Sequence, residues 1–320
     1  MTDQADTRND AASTLRVYTI DDLLNMPPPQ WMLEGWLQTQ ALHVTFGPSG
    51  HGKSLLALDW ALSVASGRPW FGLEPVQGKV LYVIGEGKSG FSVRVPAWLE
   101  ARSEDPTGDV LFTDTVNLLI PDHADELIDF IRDRGVTYTV IDTLAQNMVG
   151  GDENSARDVG IIVNVCRQAQ DAGSAVNLIH HTGHTEQNRE RGSYSIIAAA
   201  DIRHKVKQDA DGTITLTSVK VKDGQEPDPM SFQLRNVLDS VVLTPHDWRP
   251  TVLMDRVLEY VETSGGGVTT RQILDDVTGK RQYVRDAIDV LVGDGVLATE
   301  PGPHNSTRHY VKGNQGEIPY

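Results

Sequence analysis

The chain has 320 residues, 39% of them from the apolar set AVILMFWYC, and 29 glycines raise the share to about 48%, inside the globular range of roughly 45–50%. Disordered and fibrous classes are therefore excluded, and the length suits one large or two modest domains of ~100–200 residues. A formal net charge of -16, from 28 basic and 44 acidic residues, argues against coating nucleic acid by bulk charge, so any such contact needs a local basic patch. No stretch approaches the ~20 apolar residues of a membrane span, and the polar start Met1–Thr14 lacks the apolar core of a signal peptide, so no membrane association is expected. Cys166 is the only cysteine, which excludes an internal disulfide framework and makes a reducing cytoplasm the expected location.

In chain order, residues 1–15 are polar and read as a tail, ahead of a domain over 16–245. Between Tyr18 and Trp36 the spacing of Ile20, Leu23 and Leu24 predicts a short helix. The run Pro27-Pro28-Pro29 then makes a bend, and Trp31 and Trp36 anchor the approach to the first strand. Apolar runs predict strands at Ala41–Phe46, Lys79–Ile84, Thr137–Ile141 and Ala175–Ile179, with helices at Ser54–Ala65 and Ala156–Gln170. In the latter, Val159, Ile162, Val163 and Cys166 form one buried stripe, Gly173 stops the helix, and Asp152 and Glu153 suit its positive start. Continuous apolar strands alternating with helices indicate an α/β, mainly parallel sheet with helices on both faces. Alternating patterns at Thr213–Val221 and Ser231–Leu243 predict antiparallel edge strands. A polar linker follows at Thr244–Pro250.

The segment Gly47-Pro48-Ser49-Gly50-His51-Gly52-Lys53-Ser54 fits the P-loop pattern G-x-x-x-x-G-K-S, directly after a strand and directly before a helix. Glycines let backbone N–H groups close on phosphate, and the helix start adds the positive end of its dipole. Lys53 would reach the β- and γ-phosphates of ATP, and Ser54 would ligate Mg²⁺. Asp142 ends the apolar run Thr139-Val140-Ile141, where a carboxylate could complete the Mg²⁺ shell. Glu86 ends the run Val80–Gly85 and is the candidate to orient or activate water.

The order P-loop, strand-end Glu86, strand-end Asp142, then His180-His181-Thr182-Gly183 resembles the RecA-like P-loop ATPase core, and most closely the RepA-type hexameric replicative helicases of plasmids and phages. Further likeness lies in Ala65-Ser66-Gly67-Arg68-Pro69-Trp70, Gly150-Gly151-Asp152-Glu153-Asn154 and Arg191-Gly192-Ser193. The resemblance spans about Trp31 to Leu243. It implies Glu86 as catalytic glutamate, Asp142 as Mg²⁺-shell aspartate, and His181 or its neighbour His180 as the sensor of the γ-phosphate. It also implies a ring of copies, a hexamer in that family, acting on single-stranded DNA. Arg189 and Arg191 fall in a loop on the DNA-holding face of such rings. Arg203 and Lys205 are candidates for a finger reaching a neighbour's nucleotide, or are ordinary sheet-edge charges. The histidines His180, His181 and His184 lack the company of cysteine expected of a zinc site.

Residues 250–315 read as a winged helix-turn-helix. Helices are predicted at Thr251–Thr263, Thr270–Val277 and Arg281–Val292, with Gly279 as a stop and a hairpin formed by Val296–Glu300 and Arg308–Val311. Thr269 and Gln272 make a capping box, and Val284, Ile288 and Leu291 line one face of the third helix. Lys280, Arg281 and Arg285 are placed to meet duplex DNA, while Asp286, Asp289 and Asp294 would oppose phosphate and leave a protein-contact role open. The function read from the whole is an ATP-hydrolysing helicase. Its rivals are a strand-annealing recombinase and a nucleotide-switched regulator acting through the winged helix.

Overall fold

The computed structural model describes residues 17–102, 109–181, 194–245, 251–278, 281–303 and 306–312. The chain divides into two compact units, Met1–Pro245 and His246–Tyr320. In the first, α1 (Ile20–Leu24), β1 (Trp31–Leu33) and β2 (Leu37–Gln38) precede β3 (Leu42–Gly47), α2 (Lys53–Ser66), β4 (Lys79–Ile84) and α3 (Lys88–Arg102). Then come β5 (Val110–Asp114), α4 (Pro121–Arg134), β6 (Val136–Asp142), a 3₁₀ turn (Ala145–Asn147), α5 (Ala156–Asp171) and β7 (Ala175–His181). The unit closes with α6 (Tyr194–Ala199), β8 (Ile202–Gln208), β9 (Ile214–Val221), β10 (Met230–Val237) and β11 (Ser240–Pro245).

A nine-stranded sheet runs in the order β11-β10-β9-β8-β3-β7-β6-β4-β5. From β5 to β8 the neighbours are parallel, and β9, β10 and β11 add antiparallel pairs beyond β8. This is an α/β fold of RecA-like type, with both faces of the parallel strands covered. Alternate residues divide between two cores, as the period of two dictates. Val80, Tyr82 and Ile84 meet α2 and α3 on one face. Leu81 and Val83 meet α4, α5 and α6 on the other.

The first core holds an aromatic cluster that fastens the β1–β2 hairpin over β8. The Trp36 ring lies 5.7 Å from His204, and His43 stacks on His204 at 5.8 Å. His204 Nε2 bonds to the Trp36 carbonyl at 3.0 Å, and His43 Nε2 to the Gln38 carbonyl at 3.0 Å. Burial pulls His43 down to about 4 and His204 down to about 3, the neighbouring His43 adding to the latter. Between those values and the ordinary histidine value near 6.5, the unfolded chain binds protons that the folded chain refuses. Stability is therefore expected to be lost as pH falls from about 6.5, by up to about 1.4 kcal/mol per pH unit for each ring. Thermal melts from pH 7 to 5 check this. If a folded His43→Gln variant keeps the wild-type slope, His43 has no part in it.

Several sequence expectations need correction. Strands and helices shift by one or two residues at their ends, and β1, β2, α3, β5, α4, α6, β8 and β12 are elements beyond those expected. The run Ser231–Leu243 is two strands, broken at Leu238, whose φ of 50° takes the left-handed form without a glycine. Ser155, not Asp152 or Glu153, caps α5 by accepting from the Asp158 N–H. Asp152 instead closes a turn by accepting from the Asn154 N–H at 2.8 Å. Thr244 and Pro245, expected to open the linker, belong to β11, while the rest of the linker (246–250), the tail, Gly279 and the segment 182–193 lie outside the described residues.

The second unit contains α7 (Thr251–Thr263), β12 (Val268–Thr269), α8 (Thr270–Asp276), α9 (Arg281–Gly293), β13 (Leu297–Pro301) and β14 (Thr307–Val311). Its three strands form an antiparallel sheet in the order β12-β14-β13. Thr269 and Gln272 make the expected capping box, and Val284, Ile288 and Leu291 are buried in its core. Among the described residues no helix is long and apolar enough to cross a membrane.

Candidate active site

The parallel order places the P-loop strand β3 at the centre, flanked by β7 and β8, with β6 and β4 next along. The carboxyl ends of β3, β7, β6 and β4 thus lie side by side, where α/β sheets bind ligands. Gly47 ends β3 against β8. A Cβ there would sit 2.1 Å from the Val206 carbonyl oxygen, so no larger residue fits. Gly50 and Gly52 take φ of +79° and +91°, which L side chains resist, and Gly52 is the N-cap of α2. Pro48, Ser49 and Gly50 remain partly or fully exposed. His51 fixes the turn from outside, its Nδ1 accepting the Gln208 N–H at 2.8 Å. That bond puts any proton of the neutral ring on Nε2.

Lys53 is 3% exposed. Its Nζ donates to the Gly47 carbonyl at 2.9 Å and the Pro48 carbonyl at 2.7 Å. Burial pulls its ammonium down to about 8 against the attraction of Asp142 and Glu86. A cation held by two carbonyls of its own loop is poised for an anion that would replace them.

Asp142 is 2% exposed at the end of β6. Its Oδ2 accepts from the Tyr82 hydroxyl at 2.7 Å, and its Oδ1 has no hydrogen-bond partner among the described residues. Burial raises the carboxyl's pKa, opposed by hydrogen bonds from Tyr82 and Ser54 and by the charge of Lys53. A buried carboxylate oxygen without a donor, beside a serine hydroxyl, is the oxygen donor set a hard divalent cation prefers. Asp142 and Ser54 therefore fit Mg²⁺ bound with a nucleotide. No cluster of three or more His, Cys, Asp or Glu suited to a metal occurs among the described residues.

Glu86 follows β4. The Gly85 N–H donates to the Asp142 carbonyl at 2.5 Å, and a Cβ on Gly85 would lie 2.7 Å from that oxygen. The two strand ends are pinched together there. Thr143 Oγ1 donates to Glu86 Oε1 at 3.1 Å, and His181 Nε2 lies 3.9 Å from the same oxygen. Asn147 braces this turn, its Nδ2 donating to the Thr143 carbonyl at 2.8 Å and its Oδ1 accepting the Val116 N–H at 2.9 Å. Burial, then Lys53, lowers the His181 pKa, with Glu86 opposing. In register His181 stands beside Gly47 and His180 beside Phe46. The parity of β7 sends His181 to the P-loop side and the buried His180 to the face of α5.

Tyr82, Thr143 and Asn147 were not singled out in the sequence. Only strand parity could have pointed to Tyr82, an even number of residues before Glu86. Arg203 lies over the Phe46 ring at 5.2 Å, and Lys205 pairs in register with Phe46. Because β8 runs between β3 and β9, neither is a sheet-edge charge. In the second unit Asp275 pairs with both Arg281 and Arg271, and Arg285 is exposed on α9. Arg189, Arg191, His184 and Lys280 fall outside the described residues.

Residues 9–187 match the family model described as AAA domain. Among solved structures, a KaiC-like protein of the archaeon Pyrococcus horikoshii OT3 aligns at 12% identity and a TM-score of 0.48, over 68% of this chain and 96% of that one. No curated protein matches in sequence.

Proposed function

The chain belongs to the AAA domain family, and on that premise we propose that this P-loop ATPase is a ring-forming motor of the RepA helicase type, moving on single-stranded DNA. The observation that carries the reading is the meeting of Lys53, Asp142, Glu86 and His181 at one glycine turn. Lys53 would exchange the Gly47 and Pro48 carbonyls for the β- and γ-phosphates of ATP. Glu86, steadied by the Thr143 hydroxyl, would orient the attacking water. His181, its pKa lowered by burial, would sense the γ-phosphate and report its loss along β7. Mg²⁺ held by Ser54 and Asp142 would neutralise charge developing on the phosphates. Phosphoryl transfer needs positioning and charge more than covalent chemistry, and these residues supply both.

A ring would complete each site with a cation from its neighbour, for which Arg203 and Lys205 stand as candidates, and a hexamer is the expected assembly. Single-stranded DNA would meet Arg189 and Arg191. ATP turnover measured with and without single-stranded DNA, alongside native mass, tests the reading. Turnover indifferent to DNA, from a chain that never assembles, would sink it. Filaments that pair strands would indicate a recombinase instead, and slow turnover with sequence-specific duplex binding would indicate a switch.

The helix, strand, helix, helix, hairpin order of the second unit supports reading it as a winged helix presenting α9 to duplex DNA or to a protein partner. Alanine at Lys280, Arg281 and Arg285 is expected to lower duplex affinity and to flatten its salt dependence by about one unit of log–log slope per lost phosphate contact. The pairing of Arg281 with Asp275 reduces its share. Should the intact chain and the segment from Arg249 onward bind no duplex at low salt, and deleting that segment change oligomer size, it serves assembly rather than DNA.

A further inference from the structure

The phosphate turn leans on the β8–β9 hairpin at three places. Gly47 lies so close to β8 that an added Cβ would stand 2.1 Å from the Val206 carbonyl oxygen. A Cβ on Gly52 would meet Cδ1 of the buried Ile214, on β9, at 2.8 Å. Between these glycines the half-buried His51 ring takes the Gln208 N–H on its Nδ1 at 2.8 Å. The two glycine contacts only keep larger residues out. The His51 bond is directional and can hold the turn in place.

Strand geometry explains why that donor is available. The Asp209 N–H goes to the Thr213 carbonyl at 2.8 Å on the β9 side. The N–H of Gln208, one residue earlier, therefore faces away from β9 and towards β3. However, β3 pairs with β8 only as far as Phe46 and Lys205. His51 thus takes a donor that a longer β3 would have used, and the turn is tied to the hairpin by it.

This tie differs from the inner ones when nucleotide binds. Inside the turn, the Lys53 ammonium holds the Gly47 and Pro48 carbonyls at 2.9 and 2.7 Å, and ATP would take those bonds over. The His51–Gln208 bond lies outside the cradle and asks nothing of the phosphates. With Gly47, Gly50 and Gly52 in one turn, a loop released on both sides has many conformations to lose on closing round an anion. We propose that His51 is a positioning residue for nucleotide, fastening the phosphate turn to the β8–β9 hairpin in the state in which Lys53 has let go of the loop. The inference rests on the P-loop reading above for nucleotide at this turn. The bond is present before and during reaction alike, so its loss weakens binding without slowing the turnover of bound ATP.

The test uses the full chain. His51→Leu keeps an apolar side chain and removes the acceptor. It is expected to raise the ATP dissociation constant and KM roughly tenfold, the size of one neutral hydrogen bond, with kcat within about twofold of the wild type. Gln208→Pro deletes the donor from the other end, where the N–H takes no part in the β9 ladder, and should match it. If either variant fails to fold, the other decides. His51→Asn, whose Oδ1 stands where Nδ1 stands, should restore most of the affinity, which a space-filling role does not predict. The rise in melting temperature that ATP produces should shrink in His51→Leu while the nucleotide-free value stays near that of the wild type. Wild-type ATP binding by either folded variant, an Asn variant no better than Leu, or a loss confined to kcat or to nucleotide-free stability overturns the positioning role and leaves the P-loop reading standing. A wild type that binds no ATP overturns both.

Discussion

Lys53→Ala is expected to weaken ATP binding and to reduce turnover to background while leaving the fold intact. The Lys53 ammonium is almost wholly buried, and its two bonds go to carbonyls of the loop that would hold the phosphates. Losing a charge-assisted bond to phosphate costs about 1.5–3 kcal/mol in binding, or roughly 10- to 150-fold. The rate suffers further, by about 10²–10³-fold, because charge developing in the transition state loses its nearest fixed cation. The same burial gives a control on folding. Lys53 is pulled down to about 8 in the folded chain, against an unfolded value near 10.5, so between these the unfolded chain binds the extra proton and wild-type stability should rise with pH. Lys53→Ala should remove that rise without lowering the nucleotide-free melting temperature. Undiminished hydrolysis by a folded Lys53→Ala protein would end the P-loop assignment.

The parts of this site that could be read ahead of the structure are those whose chemistry forces a sequence pattern. A strand buried on both faces must be a continuous apolar run, so β4, β6 and β7 stood out, and Glu86 after β4 and Asp142 at the end of β6 stood out against them. The P-loop glycines answer to backbone demands that no other residue meets, as Gly47 shows by its closeness to Val206. What stayed hidden depended on tertiary partners. Helix α3 packs Phe91, Val95, Trp98 and Leu99 at i, i+4, i+7 and i+8 on the first core, but Gly90 and an internal Pro96 broke the helical reading of that stripe. Strand β8 is interior yet reads as polar, because His204 Nε2 bonds to the Trp36 carbonyl and Arg203 covers Phe46. The β10–β11 turn uses Leu238 and Asp239 where a glycine would have marked it. Choosing between His180 and His181 required the register of β7 on β3, since adjacent strand residues face opposite ways and sequence alone does not say which way is in.

Glu86→Gln is expected to bind Mg-ATP as the wild type does and to hydrolyse it at least ~10²-fold more slowly, about 2.7 kcal/mol on the barrier. The argument turns on what the substitution keeps. Glutamine has the same length and can still accept the Thr143 hydroxyl bond now made at 3.1 Å, so the pinched turn at Gly85 should hold its shape. Lys53, Ser54 and Asp142 are untouched, so nucleotide affinity has no reason to fall. What is lost is a basic oxygen able to draw the proton of an attacking water, at a place 48% exposed and therefore open to that water. The variant should accumulate ATP in an assembled complex, seen by native mass as nucleotide that is bound but not turned over. Thr143→Val should act more mildly and in the same direction, because it frees the carboxylate without removing it. Near-normal turnover in Glu86→Gln would return Glu86 to the status of a loop residue. Only a second acid or base within reach of the Lys53 ammonium could then activate water, and His181, 3.9 Å from Glu86, would be the next residue to replace.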